Sequence, residues 1–125
     1  MNNTQLEMVR GDQRDVIVPV VQVTGTSTSA ANLTGKRVIM TAKYDYTDSD
    51  ANAVFQKTTG GGGIVVATAT NGTATVTIDS DDTSGLPAMV TKLFWDVQVD
   101  DNPGAPVTVD KGVLTVYPDV TILST

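Results

Sequence analysis

Fourteen acidic side chains stand against eight basic ones in this 125-residue chain, and it contains neither histidine nor cysteine. That inventory removes thiolate nucleophiles, disulfide frameworks, Cys/His zinc sites and histidine acid–base catalysis. Carboxylates are what remain for chemistry. Asp79, Asp81 and Asp82 form one group, and Asp48 and Asp50 another. Loop carboxylates of this kind bind hard cations such as calcium, but neither group has a ligand ladder ending in a bidentate glutamate. Both read as helix caps and solvated loops, with no metal. Paired carboxylates also serve glycoside hydrolysis, which needs a deep cleft and one acid of raised pKa; turn-borne aspartates on a small domain do not supply these. No nucleophile has a base beside it, so the expectation is a protein that is not an enzyme, with no catalytic residues and no cofactor.

Three further motifs invite a functional reading. Arg10-Gly11-Asp12 spells an adhesion tripeptide, yet it precedes an apolar run and reads as a turn leading into the first long strand. The tetraglycine Gly60 to Gly63 lacks the Lys-Ser/Thr of a phosphate-binding loop and precedes a strand, so it reads as a hairpin tip or linker. Trp95 could be a ligand platform, but on the apolar face of a strand it belongs in the core and needs a partner for its N–H.

The elements that must position these residues read as β-strands. Ala74, Val76 and Ile78 alternate with threonines just after Asn71-Gly72, a hairpin signal that predicts pairing of the strands on either side. Val38, Met40, Ala42 and Tyr44 define a strand over Arg37 to Asp45. Leu93, Trp95, Val97 and Val99 alternate with Phe94, Asp96, Gln98 and Asp100, which puts Trp95 inside and Phe94 on the opposite face. Val16 to Val23 is apolar on both faces, and Pro19 confines it to an edge or a bulge. Val107 to Tyr117 is the closing strand, with a bulge expected at Lys111-Gly112. Gly25 to Ala31 and Asp101-Asn102-Pro103-Gly104 carry turn chemistry. Asp48 to Lys57 suits a crossover of one or two helical turns, capped by Ser49 or Asp50, that delivers Phe55 to the core. Asp79 to Thr83 suits a single capped turn ended by Gly85 and Pro87.

Length and charge agree with one domain. A chain of this size buries about two-thirds of its unfolded surface without staples. Net charge is -6, with pI near 4.2 and scattered cations, which argues against nucleic acid and anionic membranes as partners. No stretch approaches the apolar length of a membrane span, and Met1 to Gln5 lacks the features of a secretion signal, so the expectation is a soluble chain without a leader.

The order Asn32-Leu33-Thr34-Gly35-Lys36-Arg37-Val38-Ile39-Met40, Ala53-Val54-Phe55-Gln56-Lys57, Gly63-Ile64-Val65-Val66, Asp82-Thr83-Ser84-Gly85-Leu86-Pro87, Trp95-Asp96-Val97-Gln98-Val99 and Gly112-Val113-Leu114-Thr115-Val116-Tyr117-Pro118 resembles the small immunoglobulin-like domain of tailed-bacteriophage upper baseplate proteins. The likeness runs from about Met8 to Thr121 and rests on structural motifs. It implies an all-β fold: an immunoglobulin-like antiparallel β-sandwich of about seven strands with one short helical crossover, as a single domain over residues 1–125 with short flexible termini. Met1 to Glu7 and Ile122 to Thr125 lie outside it and are expected to order against neighbouring subunits.

The setting that this resemblance implies is the virion, assembled in the bacterial host cytoplasm. The expected role is a tail or baseplate component whose partners are other virion proteins, forming a homo-oligomer within the particle. No heptad coiled coil or receptor-binding portion follows the domain in this sequence, which introduces a capsid decoration (cement) protein as the alternative. An adhesion or carbohydrate-binding module is the second alternative; it requires exposed aromatics on one face, for which Phe94, Tyr44, Tyr46 and Tyr117 are the candidates.

Overall fold

A computed structural model describes residues 2–24, 27–100 and 106–119. In chain order the strands are β1 (Asn2–Asn3), β2 (Leu6–Val9), β3 (Arg14–Pro19), β4 (Val21–Thr24), β5 (Ser27–Ala30), β6 (Arg37–Lys43), β7 (Phe55–Thr58), β8 (Ile64–Val65), β9 (Thr73–Ile78), β10 (Thr91–Asp100) and β11 (Val107–Tyr117). One helix, α1 (Ser80–Ser84), and two short 3-10 turns, Asp50–Asn52 and Ala69–Asn71, complete the described residues.

Two sheets enclose one core. The larger runs β11, β10, β6, β7, with β1 and β2 following one another along the outer flank of β11; the smaller runs β3, β9, β8. β4 and β5 form a separate hairpin. Period-two burial explains the core directly: Val16 and Val18 from β3, Ala74, Val76 and Ile78 from β9, and Ile64 from β8 face Val38, Met40, Ala42, Leu93, Trp95, Val97, Leu114 and Val116 of the larger sheet. Trp95 is buried and Phe94 lies on the opposite face, as the alternation predicts. Pro19 ends β3 on the edge of its sheet, where a missing N–H disturbs no ladder.

The larger sheet is mixed, which corrects the antiparallel expectation, and eleven strands are described where about seven were expected. β1 and β2 both run parallel to β11, pairing Asn2 with Asp110 and Leu6 with Leu114. The N-terminal residues are therefore not a free tail. Leu6 and Met8 are buried in the core, and the strand they form covers a flank of β11 that would otherwise be an open edge. Ile122 to Thr125, expected to be flexible, lies outside the described residues.

Three connections differ from expectation, and the tetraglycine serves as the linker that it was read as. Asp50–Asn52 does make a helical turn, and Phe55 is buried, but β6 and β7 are neighbours in one sheet, so this segment is a long hairpin connection and not a crossover; neither Ser49 nor Asp50 is described with a side-chain cap bond. The passage between sheets falls to Gly60–Gly63. There Thr58 exchanges backbone hydrogen bonds with Gly62, and Gly62 and Gly63 take φ of 101° and 93°, which side-chain-bearing residues avoid. Asn71-Gly72 does not form a two-residue hairpin turn, although β8 and β9 on either side do pair; a 3-10 turn precedes Gly72, whose carbonyl accepts the Val20 N–H at 2.6 Å. Ser27–Ala30, read as part of a loop, is strand β5. The turn expected at Asp101 to Gly104 lies outside the described residues.

The bulge in β11 falls at Val109, between the pairs Val97–Asp110 and Gln98–Thr108, and not at Lys111-Gly112. Gly112 has a different task. A Cβ there would overlap the Thr4 carbonyl of the N-terminal segment crossing it. Thr4 is held in place by its N–H to the Lys111 carbonyl at 2.8 Å and by its hydroxyl donating to the buried Asp110 carboxylate at 3.1 Å.

Candidate functional site

Of the acidic side chains singled out by sequence, Asp50, Asp79 and Asp82 pair with lysines. Asp82 accepts the Asp79 N–H at 2.7 Å, opening α1, and both carboxylates engage Lys57, Asp82 at 2.8 Å and Asp79 at 3.3 Å. Gly85 closes this helix as expected. Asp50 pairs with Lys43 at 2.8 Å. Among the described residues no group of metal-ligating side chains converges.

The tripeptide is structural as well. The Arg10 guanidinium pairs with Asp119 at 2.8 Å and donates to the Leu86 carbonyl at 2.8 Å, while the Gly11 N–H donates to the hydroxyl of buried Thr83. That pairing holds the Asp119 carboxyl below its ordinary range, chiefly through the hydrogen bond from Arg10. Trp95 is a core residue with one anomaly: among the described residues no acceptor lies within hydrogen-bonding reach of its buried indole N–H.

Two of the aromatic candidates, Phe94 and Tyr46, come together with residues that sequence left unassigned on the outer face of the larger sheet. Alternation turns Phe94, Asp96 and Gln98 of β10 away from the core, and the ladder aligns them with outward residues of the neighbouring strands. Lys111, Asp96, Thr41 and Gln56 stand in one row across β11, β10, β6 and β7. Thr108, Gln98 and Ile39 form the next row, and Phe94 is paired with Lys43. Curling of the sheet makes this face the floor of a concavity of about 440 Å³.

One wall is built by the β6–β7 connection. Asp45 accepts both the N–H and the hydroxyl of Thr47 at 3.0 Å, a turn that holds its carboxyl below the usual range, with the Thr47 N–H the larger cause. Lys43 then ties the loop down by donating to the Asp48 carbonyl at 2.8 Å while pairing with Asp50. This places Tyr46 over Phe94, ring centroids 4.2 Å apart and planes inclined by 30°. Phe94 is therefore covered on its outer face, while Tyr46 keeps 71% of its surface exposed. Tyr44 and Tyr117, the other aromatic candidates, do not line the concavity.

On the floor, Gln56 donates its amide to the Thr41 hydroxyl at 3.0 Å. Asp96 is half-buried and, among the described residues, receives only a long bond from Gln98, 3.4 Å. Desolvation pushes its carboxyl above the ordinary range, against the opposing influence of Gln98 and of the Lys43 charge. The arrangement offers an aromatic platform beside closely spaced donors and acceptors. The outward set Phe94, Asp96, Gln98 is visible in the period-two pattern, but the overhang of Tyr46 is not, because loop geometry leaves no periodic mark.

No protein-family model matches the chain, and no curated protein matches it. Among the described residues no helix is long and apolar enough to cross a membrane.

Proposed function

We propose that this chain is a non-enzymatic structural protein of a tailed-bacteriophage virion, a tail or baseplate component that acts through contacts with other virion proteins. The observation that carries the reading is strand order. With β3, β6, β8, β9, β10 and β11 taken as B, C, D, E, F and G, the strand orders β3-β9-β8 and β6-β10-β11 become B-E-D and C-F-G, which supports the immunoglobulin-like reading that the sequence resemblance implies. β7 then extends the second of these sheets beyond C. The assignment rests on connectivity alone, since the chain has no cysteine for an inter-sheet disulfide and its tryptophan lies on F and not on C.

Surfaces suited to subunit contacts are present. Ile17 and Val65, 69% and 64% exposed, flank Thr75 in one row across the outer face of the smaller sheet. β7 ends the larger sheet; Thr58 at its end is bonded to Gly62, and along the rest of its outer edge no strand pairs among the described residues, which leaves a short backbone edge of the kind that pairs with a neighbour's strand. Quantitative mass spectrometry of purified particles tests the proposal: a copy number that is a small multiple of three or six is expected. Hundreds of copies would favour capsid decoration, and absence from the particle would refute a virion role.

A further inference from the structure

We propose that the outer face of the larger sheet is a saccharide site, taking one pyranose ring of a neutral glycan against Tyr46 with its hydroxyls on Asp96, Gln98, Gln56 and Thr41. The inference stands apart from the virion reading and rests on the concavity alone.

Four features argue for this ligand class. The first is the platform: Tyr46 exposes most of its ring yet is held in place, backed by Phe94 and fixed by the Lys43 tether to Asp48 and Asp50. A rigid, exposed aromatic face is what the axial C–H groups of a pyranose pack against.

The second is the floor. Carboxylate, amide and hydroxyl groups project from adjacent strands about 4.8 Å apart, a spacing that lets neighbouring ring hydroxyls reach different strands. Among the described residues Asp96 has only the 3.4 Å bond from Gln98, and a pair of vicinal hydroxyls would complete its acceptor set.

The third is charge. Lys43 is paired with Asp50, and Lys111 stands opposite Asp96 in the ladder, so the face offers no net charge to an ionic ligand. The fourth is size: about 440 Å³ lies within the range of small-molecule sites. A protein partner fits less well, since the centre of a protein interface is depleted of charged groups whereas the centre of this face is Asp96 and Thr41.

The test is an amide-resolved NMR titration of the 125-residue chain with methyl β-glucoside, methyl β-galactoside and N-acetylglucosamine, with glycerol as a control for adventitious polyol binding. Support would be saturable shifts from at least one sugar, centred on Thr41, Asp96 and Gln98 and not reproduced by glycerol. Tyr46→Ala is expected to weaken that affinity about tenfold while leaving core resonances in place, because Tyr46 lies on an exposed loop. No saturable shift from any of the sugars, a glycerol response equal to theirs, or an unchanged affinity in Tyr46→Ala would overturn the proposal.

Discussion

The carbonyl of Thr4 lies where a side chain at Gly112 would have to be, so the two ends of the described chain are fitted to each other without a spare methyl group. This contact fixes the N-terminal segment against β11, with Asp110 and Lys111 supplying its hydrogen bonds.

Gly112→Ala is expected to destabilise the fold by about 2 kcal/mol or more, because the obstacle is backbone and cannot rotate away. Urea denaturation measures this. In a chain lacking residues 1–5 the same substitution is expected to cost far less, since Thr4 is gone; an equal cost in both backgrounds would place the strain elsewhere. Removing residues 1–7 also deletes buried Leu6, so that truncation is expected to lower the stability of the isolated fold and not only its assembly.

Asp96→Asn is expected to stabilise the protein at neutral pH. Desolvation raises the folded-state pKa of Asp96 above its unfolded value, so the folded chain binds this proton more tightly. The resulting stability is present below the ordinary carboxylate pKa and lost as pH rises through the raised value, which leaves the ionised group a cost at neutrality. Lys43, Asp50, Gln98 and the cross-strand Lys111 face it and set the size of the effect. Thermal melts at neutral and acid pH are expected to show the advantage of the variant shrinking in acid; a constant difference would contradict the assignment.

Arg10→Ala tests the opposite sign. Asp119 has a lowered folded-state pKa, so its contribution is present above the ordinary carboxylate value and lost as pH falls through the lowered one. The stability difference between native protein and variant is therefore expected to be largest near neutrality and to narrow in acid. Divergence of the two curves on acidification would rule this out.

Trp95→Phe is expected to cost less than about 1 kcal/mol, because the lost ring volume is offset by removal of a buried N–H that has no acceptor among the described residues. Trp95→Ala is expected to cost about 3–5 kcal/mol. Equilibrium unfolding of both separates the packing contribution from that of the indole N–H, and a large loss in Trp95→Phe would mean that the indole has a partner after all.

Residues 73–78 and 93–97 were legible because one face of each strand meets the core and the other does not, which writes burial into alternate positions. The α1 turn was legible from its flanking Asp79 and Gly85, since capping is local chemistry. The N-terminal strands were not. Before Leu6 the segment is polar, and its partner β11 lies at the other end of the chain, so no local pattern reports the pairing. Gly112 invited a bulge reading because a glycine within a strand usually marks one; its actual cause, Thr4, is likewise remote. The concavity shares this property, since Asp96, Thr41, Gln56 and Lys111 become neighbours only through strand register.

Immunogold labelling of intact particles with an antibody to this chain, viewed by electron microscopy, tests the proposed setting most directly. Gold confined to the tail end is the expected result. Gold spread over the head would replace the tail reading with capsid decoration, and particles without gold would contradict a virion role altogether.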